Sequence, residues 1–198
     1  MPDLRDCYPP PLERSLLKQL PALDRHMRRF ISLSPFLCLG TASNEGADVT
    51  PRGGEPGFVH VLDDRTLLIP DWPGNNRLDS LSNVTATPHV GLLFFIPGVD
   101  ETLRVNGTAE IVMVDDELRA RWNVGGKQPR SVLKVTVREA YLHCAKALIR
   151  SKLWDPSARV DRSVLPTYGQ MLKDQIAIAD TAEEIQASVE DGYRNRLY

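Results

Sequence analysis

Between Phe36 and Val137 the chain breaks into short apolar runs separated by turn residues, and this spacing limits what it can fold into. Phe36 to Ala42 lies between Pro35 and the turn signal Ser43-Asn44-Glu45-Gly46, and Val49 to Arg52 returns as its partner strand. Phe58 to Leu62 and Thr66 to Ile69 flank Asp63-Asp64-Arg65 as a hairpin. Val90 to Ile96 is apolar on both faces, which predicts a central strand. Thr102 to Val114 predicts a long strand with Arg104, Asn106, Thr108 and Glu110 on one face, and Val132 to Val137 a further strand. Few helices separate these strands, so a doubly wound parallel sheet, which needs a crossover between each pair, is excluded. The expectation is a mainly β fold: six or seven antiparallel strands in a β-barrel, which leaves no open sheet edge, with peripheral helices.

Helical spacing of Leu23, Met27, Phe30 and Ile31 predicts a helix over about Pro21 to Leu33, ended by Ser34-Pro35. A short helix is expected over Asn76 to Val84, and another over Asp115 to Val124, closed by Gly125-Gly126. Pro2, Pro9, Pro10 and Pro11 mark residues 1–20 as an extended arm. Residues 21–155 form the barrel domain with its N-terminal helix. Residues 156–198, polar with weak helical patterns near 169–178 and 182–189, read as a C-terminal wrap or tail and not a second domain.

A formal net charge of -2 argues against a nucleic-acid-binding domain, which carries a basic excess. No run of apolar residues is long enough to span a membrane, and the N-terminus has no secretory pattern. Cys7, Cys38 and Cys144 form no CxxC pair, which fits reduced thiols in the cytoplasm and no metal site. His26, His60, His89 and His143 are scattered, with no GxSxG or HExxH context, so no nucleophilic triad is expected and no catalytic residue is assigned.

Two segments suit an anion. Leu67-Leu68-Ile69-Pro70-Asp71 runs into a Pro/Gly turn that places Asn75, Asn76 and Arg77 at the start of the short helix. Unpaired N–H groups, side-chain amides and a guanidinium together make a phosphate cradle. Equally, Asn75 could cap a surface helix beside a solvated arginine. Thr50-Pro51-Arg52-Gly53-Gly54 offers a second guanidinium beside glycines that let a ligand approach the backbone. Two such sites on adjacent β-rich segments suggest one phosphorylated ligand. Trp154, near Lys146, Arg150 and Lys152, would either stack on a flat heterocycle or anchor the C-terminal segment.

Taken together these residues resemble the flavin-binding split-barrel family typified by pyridoxamine 5′-phosphate oxidase, over about Asp24 to Trp154. Arg77 matches the family's lysine on the FMN phosphate, with Asn76 standing where the family has arginine. Thr102-Leu103-Arg104-Val105-Asn106-Gly107 is similar to the family's Gln-Val-Arg-Val-Glu-Gly strand. Thr102 there takes the place of a glutamine that reaches the flavin from the partner subunit. Ile69, Pro70 and Asp71 match the strand end along the isoalloxazine ring, and Trp154 matches a late tryptophan. The Pro-Arg-Gly strand and the Pro-Gly-Asn-Asn-Arg turn resemble a bacterial branch of FMN-binding relatives of the oxidase. The resemblance implies a homodimer with FMN at the subunit interface and an oxidoreductase acting on a small molecule. The cofactor site would then comprise Thr50, Arg52, Gly53, Ile69, Pro70, Asp71, Asn75, Asn76, Arg77, Thr102, Arg104 and Trp154. The oxidase's C-terminal Arg-X-His has no counterpart in Tyr193-Arg194-Asn195-Arg196-Leu197-Tyr198, so the substrate is left open. Two alternatives share the barrel: an F420-dependent reductase, and a non-catalytic flavin or haem binder.

Overall fold

The computed structural model describes residues 3–198; Met1 and Pro2 of the expected arm lie outside them. Seven strands are present: β1 (Phe36–Ser43), β2 (Gly46–Gly53), β3 (His60–Val61), β4 (Thr66–Asp71), β5 (His89–Ile96), β6 (Val99–Met113) and β7 (Ser131–His143). They form one sheet in the order β2-β1-β5-β6-β7-β4-β3. Every neighbouring pair is antiparallel, so the fold is a mainly β split barrel with peripheral helices.

The core follows from the alternation of side chains along each strand. Leu37 and Leu39 of β1 stand opposite Phe94 and Leu92 of β5, and all four are buried. Leu103 and Val105 of β6, Val135 and Val137 of β7, and Leu67 and Ile69 of β4 complete the same interior. β4 is buried on both faces. Its Leu68 packs outward with Val114, Trp122 and Val132 in a second, smaller core, where the Trp122 indole N–H donates to the Phe58 carbonyl at 2.9 Å.

The pairing of β6 with β7 shifts by one residue between Asn106 and Gly107, leaving Arg138 unpaired. A Cβ on Gly107 would run into the Thr136 carbonyl oxygen, so only glycine fits there. Beyond this bulge Ala140 exchanges backbone hydrogen bonds of 3.0 and 2.8 Å with Leu20. The bulge also lets pairing continue through Glu139–His143, which is why β7 runs past Val137, where its alternating pattern had ended.

The helices are α1 (Leu4–Cys7), α2 (Glu13–Leu17), α3 (Arg25–Leu33), α4 (Asp79–Ala86), α5 (Asp116–Arg121), α6 (Lys146–Ser151), α7 (Tyr168–Gln175) and α8 (Ala182–Asn195). α3 begins at Arg25 and not near Pro21, because the Asp24 carboxylate caps it, accepting the His26 and Met27 N–H groups at 2.8 Å. Its buried face is Met27, Phe30 and Ile31. The arm is not wholly extended. Asp3 caps the short turn α1, and α2 follows the proline run, although neither helix buries a residue.

The chain divides into two compact units, one reaching Trp154 and one spanning Asp155–Tyr198. The second unit folds on itself and is more than a tail. α7 packs against α8, where Gly169 donates its N–H to the Gln186 side chain at 2.9 Å, and α8 starts with a Thr181–Glu184 capping box. Among the described residues no helix is long and apolar enough to cross a membrane.

Candidate functional site

The sheet ends at β2 on one side and at the two-residue β3 on the other, and beyond β3 side chains of β2 and β4 bridge the seam. Arg52 at the end of β2 donates to the Asp71 carboxylate at the end of β4, 2.6 Å apart, with only 20% and 18% of the two side chains exposed. Beside this pair opens a cleft of about 440 Å³, within the range of small-molecule sites. Thr50, Arg52 and Gly53 line it from β2, Pro70 and Asp71 from β4, and Asn75, Asn76 and Arg77 from the loop that follows. Eight of the twelve predicted cofactor residues therefore meet in one place.

The loop differs from its sequence expectation. α4 starts at Asp79 and not at Asn76, because Asn76 (φ 57°) and Leu78 (φ 61°) are left-handed and cannot continue a helix. Asn75, Asn76 and Arg77 thus lie ahead of the helix, and Asn75 turns the loop by accepting the Arg77 N–H at 3.1 Å. The N-cap of α4 is Leu78, which has no side-chain acceptor, whereas α3, α5, α7 and α8 are capped by Asp24, Asp115, Thr167 and Thr181. The first N–H groups of α4 accordingly have no side-chain cap, and the residues that carry them line the cleft. Thr50 and Ser80 hydroxyls, 3.1 Å apart, tie β2 to α4. A Cβ on Gly74 would meet no atom within 4 Å, so the turn backbone lies open.

Three guanidinium groups, of Arg52, Arg77 and Arg130, share this cleft with two carboxylates, of Asp71 and Asp79, leaving a local charge of +1. Arg77 donates to Asp79 at 2.7 Å in an exposed pair. That hydrogen bond, then the charge of Asp79, raises the Arg77 pKa above its ordinary value, and Asp48 adds to the effect. Among the described residues two side-chain polar atoms are buried without a hydrogen-bond partner, Nε of Arg52 and Oδ2 of Asp48. Asp48, Thr50 and Arg52 alternate along β2 and share one face. Sequence reasoning missed Asp48, Asp79, Ser80 and Arg130. The alternation along β2 would have found Asp48. Arg130 has no local signal; it arrives because Ser131 pairs with Asp71.

The other four predicted residues are elsewhere. The Ile69 side chain is in the main core. Thr102 is buried on β6 opposite His143. Arg104 donates to the Tyr141 hydroxyl at 2.8 Å, its guanidinium 5.8 Å from the ring centroid. Trp154 donates its indole N–H to the Val99 carbonyl at 2.9 Å. Ser131, paired with Asp71, and His143, paired with Thr102, are the two ends of β7. Across the sheet Arg104 pairs with Leu93, Leu93 with Cys38 and Cys38 with Pro51 of the cleft, three strand spacings or about 14 Å. Burial, then the charges of Lys18 and Arg104, hold His143 below the ordinary histidine pKa. At the hairpin, burial and Arg121 do the same to His60. Among the described residues no group of three or more His, Cys, Asp or Glu side chains could hold a metal.

Several solved structures are similar to the chain. HupZ from Group A Streptococcus is 18% identical, with 61% of this chain and 93% of that chain covered and a TM-score of 0.49. An FMN-binding protein from Syntrophomonas wolfei is 14% identical over 61% and 83% of the two chains, at 0.45. General Stress Protein 26 from Bacillus anthracis is 16% identical over 59% and 93%, at 0.40. No curated protein matches the chain. The family model for pyridoxamine 5′-phosphate oxidase matches residues 23–144, from the residue before the α3 cap to the residue after β7, and the chain belongs to that family.

Proposed function

We propose that the seam cleft binds a flavin, FMN, and that the protein is a flavin-dependent oxidoreductase acting on a small molecule. One observation carries this reading: the uncapped start of α4 opens into the same cleft as Arg52, Arg77 and the open turn at Gly74. A phosphate needs N–H donors and cations held together, and here the fold supplies both. Arg52 would hold the phosphate from β2 and Arg77 from the loop, with the Asn75 and Asn76 amides assisting. The backbone of Pro70 and Asp71 would lie along the ring. FMN, when bound, supplies the redox chemistry; the chain positions it and limits water.

The reading includes a homodimer. By the family resemblance, the end of β6 that carries Thr102 and Arg104 reaches the flavin held by the partner subunit. A second copy presenting that end would complete the site, and it would also cover part of the cleft mouth.

The test is to titrate the purified protein with FMN and follow its absorbance and fluorescence. Saturable binding is expected, and Arg77→Ala should weaken it by about 1.5–3 kcal/mol, the scale of a charged hydrogen bond. Failure to bind FMN, or a Soret band in the isolated protein, overturns the cofactor assignment. NAD(P)H should then bleach the bound flavin and an acceptor restore it; no reduction by any donor tried leaves a non-catalytic flavin binder.

A further inference from the structure

The Tyr141 end of β7 gathers cations around one aromatic ring. Lys18, just after α2, places Nζ 5.4 Å from the Tyr141 ring centroid and donates to the Leu142 carbonyl at 2.8 Å. Arg104 of β6 approaches the same ring and donates to its hydroxyl oxygen at 2.8 Å. The His143 ring lies 6.3 Å from that of Tyr141. Tyr141 is buried, while Lys18, Arg104 and His143 are exposed. Three separate segments thus converge on one residue.

We infer that this cluster is an oxyanion site, in which Lys18, Arg104, Tyr141 and His143 take a carboxylate or phosphate group of a small molecule. The first argument is charge. Among the described residues no acid pairs with Lys18, Arg104 or His143, although the chain as a whole carries a formal net charge of -2. Glu139, the acid nearest along β7, accepts a hydrogen bond from Asn106 at 2.6 Å. Glu101 lies on the opposite face of β6 from Arg104 by strand alternation. Cations held together without a counter-ion repel one another, and a bound anion removes that cost.

The second argument is directional. Cation–π contacts and backbone hydrogen bonds fix the cations without neutralising them. Lys18 keeps two N–H donors beyond the one on Leu142, and Arg104 keeps donors beyond the one on Tyr141. The Tyr141 oxygen accepts from Arg104, which leaves its own O–H free to donate. Planar guanidinium, ammonium and hydroxyl donors at one place match the lone pairs of a carboxylate or phosphate. Arg104 lies three strand spacings, about 14 Å, across the sheet from Pro51 of the seam cleft, and the cluster is held by contacts of its own that involve no flavin.

The test uses the full chain without flavin. Orthophosphate and, separately, acetate are titrated at constant ionic strength made up with chloride, and the His143 ring proton is followed by NMR, assigned by its loss in His143→Gln. A saturable shift with phosphate or acetate, absent with chloride, is expected. Arg104→Gln and Lys18→Gln should each weaken it about tenfold. Arg14→Gln, which removes the same charge from the same arm, should leave it unchanged. No saturable shift, an equal shift with chloride, or a shift that survives whichever of Arg104→Gln and Lys18→Gln folds overturns the site. Saturation by phosphate alone, by acetate alone or by both supports the site and tells which oxyanion it prefers.

Discussion

The two ends of β7 hold the cations near them in opposite ways. At the seam, Arg52 rests on Asp71 and Arg77 on Asp79. Around Tyr141, Lys18 and Arg104 are fixed by a ring, a hydroxyl and a carbonyl, and no described acid forms an ion pair with them. A carboxylate partner orients a guanidinium but opposes any incoming anion. A π face and a neutral oxygen orient it and leave the charge in place. Anion binding at the seam therefore depends on more than charge: it needs the uncapped N–H groups of α4 and the open turn. At the Tyr141 end charge alone suffices, so salt should weaken binding there more steeply.

The largest predicted effect tests what joins the two ends. Gly107 sits at the bulge between them, where a Cβ would meet the Thr136 carbonyl oxygen. Backbone, unlike a flexible side chain, cannot give way. Gly107→Ala should destabilise the fold by about 3 kcal/mol or more, at the upper end of overpacking, read as a lowered urea midpoint. A variant of wild-type stability would show that the β6–β7 register can slide and that the two ends are not rigidly coupled.

Next comes the contrast between the two seam arginines. Removing Arg52 leaves Asp71 without its cation in a largely buried setting, so Arg52→Ala should cost about 1–2 kcal/mol, less than for a fully buried pair. Arg77 and Asp79 are 72% and 46% exposed, and Arg77→Ala should leave stability essentially unchanged. Both should weaken FMN binding. Equal stability losses in chemical denaturation would break the distinction between a pair that closes the barrel and one that rides on its surface.

Most of the barrel was legible in the sequence because its strands obey a period of two and its turns carry Pro, Gly, Asn or Asp. Leu23, Met27, Phe30 and Ile31 were legible for the same kind of reason, since a period of 3.6 marks a helix face. The start of α4 was not. Asn75-Asn76-Arg77-Leu78 looks like a helix entry, and only the left-handed backbone at Asn76 and Leu78 shows that it is a loop. The site was half legible. Arg52 and Arg77 stood out as types, but their carboxylate partners did not. The Arg52–Asp71 pair forms where the barrel is split, a contact that no local pattern encodes. Arg130 enters the cleft through strand register, and Lys18 reaches Tyr141 through an arm whose prolines suggested no folded role.

Asp71 gives the sharpest test of the competition at the seam, because the expected sign is a gain. Asp71→Asn keeps an oxygen that accepts from Arg52 and removes the opposing charge. FMN should bind about three- to tenfold tighter, the scale of one screened charge interaction. Asp71→Ala loses the acceptor too and should bind FMN less tightly than Asp71→Asn. Weaker binding by Asp71→Asn would mean that the carboxylate serves the ligand directly and does not compete with it.

The smallest effect is a pH dependence at the Tyr141 end. His143 has a pKa below the ordinary 6.5, from burial first and then from Lys18 and Arg104. The unfolded chain, with an ordinary histidine, therefore takes up the proton first as pH falls. His143 leaves stability intact above pH 6.5 and lowers it as pH drops from there through the folded pKa. His60 acts in the same direction, from burial and Arg121. His143→Gln should flatten part of the fall and leave the share due to His60. Arg104→Gln removes one of the cations and should bring the His143 NMR midpoint back toward the ordinary value. A midpoint unmoved by Arg104→Gln would leave burial and Lys18 as the causes and weaken the contrast between an uncompensated end and a paired one.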